Sequence, residues 1–180
     1  MSKPEPPPLP LGKSPWVIKT RSIGQSGLSG RIIANEGDRR ALARALDIVA
    51  CDRLTVDYRL KAIGPDRYEA AGHLSADLVQ ACVVTLEPVP ETIEEDFTVA
   101  FWRAEEIGEE LPDGEINLDE EMPEPIEHGE IALGRLVYEL VAVTINPFPR
   151  RQDAPASNAA SASPKPESPF AALAKLKRPG

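Results

Sequence analysis

Cysteine and histidine are both scarce in this chain. Two cysteines, Cys51 and Cys82, in 180 residues exclude a disulfide framework, and two unpaired thiols in a reducing compartment are the expectation. The two histidines, His73 and His128, stand near no recognisable nucleophile motif, so no catalytic triad can be assembled from them. No apolar run approaches the roughly eighteen residues of a membrane-spanning helix. Met1-Ser2-Lys3-Pro4-Glu5-Pro6-Pro7-Pro8 holds no apolar stretch of the kind a secretory signal requires. A soluble, cytoplasmic protein without membrane contact is expected. No dinucleotide fingerprint or phosphate loop occurs, and Gly24, Gly27 and Gly30 sit at no strand-to-helix junction. Zinc wants ligands in close pairs, and Thr85 stands where a partner for Cys82 would have to be. Asp113-Gly114-Glu115-Ile116-Asn117 matches only a fragment of a calcium loop. No catalytic residue, metal ligand or cofactor is therefore assigned.

What the chain does have is an uneven distribution of charge. The formal total is −9. Between residues 87 and 130 there are seventeen acidic residues against one basic residue, Arg103, so this segment alone carries −16 and the remainder +7. The carboxylates are abundant but look wet, whereas a catalytic pair needs one member desolvated.

The other strong signal is alternation. Leu54, Val56, Tyr58, Leu60 and Ala62 alternate with Thr55, Asp57, Arg59 and Lys61. After Ile63-Gly64-Pro65-Asp66, Tyr68, Ala70, Gly72, Leu74, Ala76 and Leu78 alternate with Glu69, Ala71, His73, Ser75 and Asp77. Two period-two runs joined by turn chemistry predict an antiparallel hairpin with one dry face. A hairpin is marginal alone, so other elements must cover that face. Residues 93–102 resume the alternation, with Phe97, Val99 and Phe101 on one side, as a third strand of a meander. Short strands are expected at 16–20 and 31–34, with a Gly/Ser-rich loop at 21–30 and a Pro-containing connection over 82–90.

Two helices are predicted. Asn35 with Asp38 forms a capping-box-like start to a helix ending near 50–51, with Leu42, Ala45, Leu46 and Val49 on one face and Arg39, Arg40 and Arg44 elsewhere. Leu133, Leu136, Val137, Leu140 and Val141 predict a second helix over 130–145, with Glu130 at its positive end and Asn146-Pro147 as its stop.

The fold class is therefore α+β: a curved antiparallel sheet, a meander or half-barrel, covered by two helices. Its domain organisation reads as a disordered Pro-rich leader over 1–14, an α+β domain over 15–150 with an acidic loop at 103–128, an Ala/Ser/Pro linker over 151–167, and a short amphipathic helix over 168–180. In that last helix Ser168 caps, Pro169 occupies the first turn, and Phe170, Leu173 and Leu176 share a face. Lys177 and Arg178 suit its C-terminal end. A helix this short does not persist alone and must dock on something. A domain of roughly 130 to 150 residues buries about two thirds of its unfolded surface, enough to fold without staples.

Two motifs carry a resemblance. Gly129-Glu130-Ile131-Ala132-Leu133 follows the acidic stretch, and Ser168-Pro169-Phe170-Ala171-Ala172-Leu173-Ala174-Lys175-Leu176-Lys177 closes the chain. With the strand-rich sequence leading into Cys82, they resemble the YceD family, the large ribosomal RNA subunit accumulation proteins, across about residues 30–178. Many members have a Cys-x-x-Cys at the position of Cys82, and some have cysteines after the long helix. Here Thr85 replaces the second cysteine and residues 146–152 contain none. The resemblance implies a role in assembly of the large ribosomal subunit and accumulation of its 23S RNA, with no catalytic activity.

Three functional readings follow. The first is a non-catalytic assembly factor. It either holds a basic large-subunit ribosomal protein on acidic side chains, including Glu105, Glu106, Glu109, Glu110, Asp119, Glu120 and Glu121, or touches precursor 23S RNA through Arg39, Arg40, Arg44, Lys175, Lys177 and Arg178. A net charge of −9 favours the protein-holding version. The second is an adaptor docking through Phe170, Leu173 and Leu176. The third, an RNA-related enzyme, lacks any convergent polar constellation.

Overall fold

The computed structural model describes residues 10–107 and 122–155. Its centre is a five-stranded sheet in the order β2-β3-β4-β5-β6, with β2 Leu28–Ile33, β3 Ala50–Gly64, β4 Arg67–Ala81, β5 Pro88–Arg103 and β6 Glu124–Ile126. The sheet is open. β2 to β5 run antiparallel, and β6 lies parallel to the end of β5. β3, β4 and β5 are 15, 15 and 16 residues long, about 50 Å each at the usual rise.

The alternation seen in the sequence becomes two chemically different faces. Ile32, Val56 and Leu74 stand in one cross-strand row and Leu54, Ala76 and Ile93 in another, all buried. Gly72 lies between Tyr58 and Phe97, where a Cβ would come within 2.7 Å of the Phe97 ring. The glycine thus makes room for an aromatic ring on the neighbouring strand. The register breaks between Cys51 and Arg53 and between Ala62 and Gly64, the irregularities at which strands bend.

Helix α1, Glu36–Ala45, carries the full capping box: Asp38 N–H donates to the Asn35 side chain at 3.0 Å, and Asn35 N–H to Asp38 Oδ2 at 3.3 Å. It ends earlier than the sequence suggested. Asp47 takes a left-handed φ of 54°, and β3 begins at Ala50. Leu42 and Ala43 are the buried residues of α1, whereas Ala45 is exposed and Val49 is 59% exposed, beyond the helix.

Helix α3 runs Leu133–Thr144, not from Glu130. His128 and Gly129 both have positive φ, and Glu130 N–H bonds to the Glu127 carbonyl. The turn they make sends Glu130–Ile131 into a short strand, β7, paired with β1 at Ile18–Lys19. Glu130 therefore belongs to a strand rather than to the positive end of the helix. Leu133, Leu136, Val137 and Val141 belong to the same buried cluster as Leu42, Ala43 and the dry face of the sheet.

Three segment boundaries also move. The 21–30 loop gives way to β2 from Leu28. The 82–90 connection shortens because β5 starts at Pro88, and Pro88 and Pro90 fall where β5 has no outer neighbour and no donor is needed. The acidic loop assigned to 103–128 is ordered at both ends, as the one-turn helix α2 Ala104–Ile107 and as β6.

The Pro-rich leader expected over 1–14 gives way to an ordered segment from residue 10. Leu11 is 4% exposed and sits in the core beside Trp16, which is fully buried. The Trp16 indole N–H donates to Asp38 Oδ2 at 3.0 Å, and its carbonyl accepts from Gly134 N–H at 3.0 Å. This segment straps α1 to α3. It passes so close to Gly134 that a Cβ there would lie 2.7 Å from the Leu11 Cβ and 2.8 Å from that of Trp16. Gly134→Ala is expected to lower stability by about 1–3 kcal/mol through overpacking. Gly24→Ala, where a Cβ meets nothing within 4 Å, should leave the denaturant midpoint unchanged. Equal effects of the two in chemical unfolding would show that the strap does not pack as described.

Candidate functional site

The outward face of the sheet is a ladder of charged side chains. Arg31 makes a bidentate pair with Asp57 at 2.6 and 2.7 Å. Arg53 does the same with Asp77 at 2.7 and 3.0 Å, and also donates to Ser75 Oγ at 2.7 Å. Lys61 meets Glu69 at 2.7 Å, and His73 Nδ1 lies 2.7 Å from Asp96. Hydrogen bonds from Arg31 hold the Asp57 carboxyl below its ordinary range, and those from Arg53 do the same for Asp77. Asp77 also accepts from Thr92 at 3.0 Å.

The same pairing extends around the body. Arg40 pairs with Glu36, Arg103 with Asp66, Arg135 with Glu139 and Arg151 with Glu87 and Asp153. Arg39 donates to the Ala34 carbonyl at 2.9 Å. Of the three helix arginines considered for phosphate contact, Arg44 alone makes no ion pair or side-chain hydrogen bond among the described residues. Glu95, Glu105, Glu127 and Glu130 make no ion pair there either.

Two of the acidic side chains proposed to bind a partner lie within the described residues. Glu105 is exposed on α2. Glu106 accepts from Arg67 Nε at 3.2 Å, and that guanidinium lies 4.0 Å over the Trp102 ring. Trp102 thus anchors the root of the acidic segment, a role hidden in the sequence because Trp102 sits on the outward side of its strand. Glu109, Glu110, Asp119, Glu120, Glu121, Phe170, Leu173, Leu176, Lys177 and Arg178 lie outside the described residues. On the far side of the segment Glu124 is half-buried, and its pKa is raised by that burial and by Glu139, against the pull of Arg135.

The turn at Cys82 brings together residues far apart in sequence. Cys82 N–H donates to the Glu87 carbonyl at 2.8 Å and Leu86 N–H to the Cys82 carbonyl at 2.9 Å. Val83 N–H reaches the Pro149 carbonyl at 2.9 Å, which lays the chain after α3 against the turn. Val84 N–H points at Cys82 Sγ from 3.5 Å. Hydrogen bonding from the Thr85 side chain and from the backbone at Arg151, Thr85 and Val84 pulls the Cys82 thiol down to about 6, against the burial of its sulfur. Cys51, by contrast, is pushed up to about 11 by burial. Among the described residues no group of three or more His, Cys, Asp or Glu is arranged to hold a metal ion.

The two thiols should therefore be separable by titration. An ordinary thiol has a value near 9. Because the folded value of Cys82 lies below it, the stability contributed by its thiolate is fully present above pH 9 and is lost as pH falls through about 6. Thiolate absorbance near 240 nm is expected to rise with a midpoint near pH 6 in the native chain and in Cys51→Ser, and to vanish from that range in Cys82→Ser. Thr85→Val, which removes the leading hydrogen bond, should raise the midpoint. A Cys82 midpoint at or above 8 would contradict the arrangement.

No curated protein and no solved structure matches the chain. The family model described as large ribosomal RNA subunit accumulation protein YceD matches residues 70–177, from β4 through the acidic segment and α3 to the C-terminal motif. That span is more than half of the chain, and the protein belongs to the YceD family.

Proposed function

We propose that the protein is a non-catalytic factor in assembly of the large ribosomal subunit and accumulation of its 23S RNA. It does this by holding a basic ribosomal protein on the acidic segment 87–130. Family membership supplies the ribosomal context. The observation that favours a protein client over RNA is the imbalance of charge: the segment carries seventeen acidic residues against Arg103, while among the described residues most arginines of the body already sit on carboxylates or backbone carbonyls. A surface that binds phosphate backbone needs cations free to displace counterions, and among the described arginines only Arg21, Arg44 and Arg59 make no ion pair or side-chain hydrogen bond. A dense acidic surface attracts a basic protein over long range and is screened by salt. It would release its client to ribosomal RNA, whose phosphates present a stronger field of the same sign.

The test is a native pull-down with tagged protein from growing cells, with and without RNase. A basic large-subunit protein is expected to stay bound after RNase. Converting Glu105, Glu109, Glu110, Glu120 and Glu121 to Gln and Asp119 to Asn should weaken that binding at least tenfold, as should raising salt. Recovery of precursor large-subunit RNA alone, lost on RNase treatment and indifferent to the charge change, would move the contact to Arg44, Arg59 and the C-terminal cations.

A further inference from the structure

We propose that the outer edge of β2 takes up a further strand, an extended acidic segment of a partner protein. The segment runs antiparallel to β2, with a carboxylate side chain opposite Ser29 and an apolar one opposite Ile33. It extends the sheet at the edge opposite β6.

The direction of the ladder bonds leaves this edge open. Among the described residues β2 is bonded to β3 alone. Just past its end, Ala34 N–H donates to the Leu54 carbonyl at 2.9 Å. Residues that bond inward and outward alternate along an antiparallel strand, so Ile32, Gly30 and Leu28 also bond toward β3. Ser29, Arg31 and Ile33 then direct their N–H and C=O groups away from the sheet. All three are exposed, and among the described residues no hydrogen bond reaches those groups.

The usual guards against pairing are missing from it. Edge strands are blunted by proline, by a bulge, by a free charge or by a covering element. The far side of the sheet has them: Pro88 and Pro90 lie in β5, and β6 is laid along its end. β2 has no proline, and its register with β3 is unbroken from Leu28 to Ile33. Its one charged side chain, Arg31, is neutralised by the bidentate pair with Asp57. Six residues of such a strand give about 20 Å of template.

The charge pattern selects the occupant. Arg31, Arg53, Lys61 and His73 each share a cross-strand row with a carboxylate. The row Ser29–Arg59–Ala71–Thr98 holds a cation and no carboxylate. Arg59 is exposed and makes no ion pair or side-chain hydrogen bond among the described residues. The next position in its row lies on the added strand, beyond Ser29. Two strand spacings are about 9–10 Å, a gap that an arginine and a glutamate close between them across the small serine. At Ile33, 69% exposed, the same strand meets an apolar side chain instead. A second copy of β2 matches less well. Paired about Arg31, it sets two arginines side by side, and paired about Gly30, it brings Arg31 next to Arg59. Paired about Ile32, it runs Ser29 into the α1 cap at Asn35.

The test is an NMR titration of the full chain with two capped synthetic peptides, Val-Ile-Thr-Ile-Glu and Val-Ile-Thr-Ile-Lys. The Glu peptide is expected to shift the amides of Ser29, Arg31 and Ile33 and to slow their hydrogen exchange. It should bind about fivefold more tightly than the Lys peptide, the size of a cross-strand charge pair, and Arg59→Glu should invert that preference. Ser29→Pro removes an outward N–H and no bond to β3, so it should abolish binding while β3 and β4 keep their protection. No binding at millimolar Glu peptide overturns the proposal, as does binding indifferent to Ser29→Pro or a preference unmoved by Arg59→Glu. Protection of the three amides without peptide overturns it too. The edge then belongs to a second copy where dilution removes that protection, and to the chain itself where it does not.

Discussion

Every other contact in the molecule presupposes the register between β3 and β4. Because side chains alternate faces with a period of two, a slip of one residue would turn Leu54, Val56 and Leu60 outward and drive Arg53, Asp57 and Arg59 into the core. The apolar rows set that register through burial, at about 25 cal/mol for each Å² of apolar surface removed from water. The outward ion pairs reinforce it differently. Arg53 with Asp77 and Lys61 with Glu69 cross the same two strands, as Arg31 with Asp57 crosses β2 and β3; all are exposed and individually contribute little stability. They can all form together in only one alignment, so their effect is on specificity. Trp16, Leu42, Val137 and Val141 then complete a core that the dry face alone cannot.

The same pairing shapes the electrostatics. A carboxylate that accepts two bonds from an arginine neutralises that arginine for any outside anion, and the ladder does this strand after strand. Among the described residues, Glu105 on α2 and Glu127 and Glu130 beyond β6 make no ion pair, and they stand on either side of residues 108–121, whose seven charged residues are all acidic. The −16 of residues 87–130 stands against +7 for the rest of the chain, much of it already paired. An incoming basic partner would meet a field that local cations do little to cancel.

Features encoded by local chemistry were legible in the sequence. The hairpin, the third strand, the Asn35–Asp38 capping box and the Asn146-Pro147 stop each depend on neighbours a few residues away. The elements that escaped depend on distant ones. A two- or three-residue strand such as β6 or β7 has no period to detect, and it exists only because its partner is delivered by the fold. Leu11 reads as part of a proline-rich leader until Gly134, far along the chain, is seen to leave room for it. Val49 is apolar and correctly spaced for α1, yet the left-handed turn at Asp47 ends the helical period before it. As for the site, the acidic character was plain from composition, but the anchoring of its root by Arg67 and Trp102 required the register of β4 against β5.

The turn at Cys82 joins these themes. Where the resemblance to the family would place a second cysteine, this chain has the hydroxyl of Thr85. The Cys82 sulfur is free and buried, and its contacts come from neighbouring groups rather than from a second cysteine. The fold supplies hydrogen bonds instead, from the Thr85 side chain, from Val84 and from the backbone at Arg151, which arrives from beyond α3. Those bonds favour the thiolate over the thiol and, with the Arg151–Glu87 pair, tie the strand ends to the chain leaving the domain. The backbone bonds from Cys82 to Glu87, from Leu86 to Cys82 and from Val83 to Pro149 hold Val83 and Leu86 in an exposed geometry that an unrestrained turn, free to bury its own leucine, would not keep.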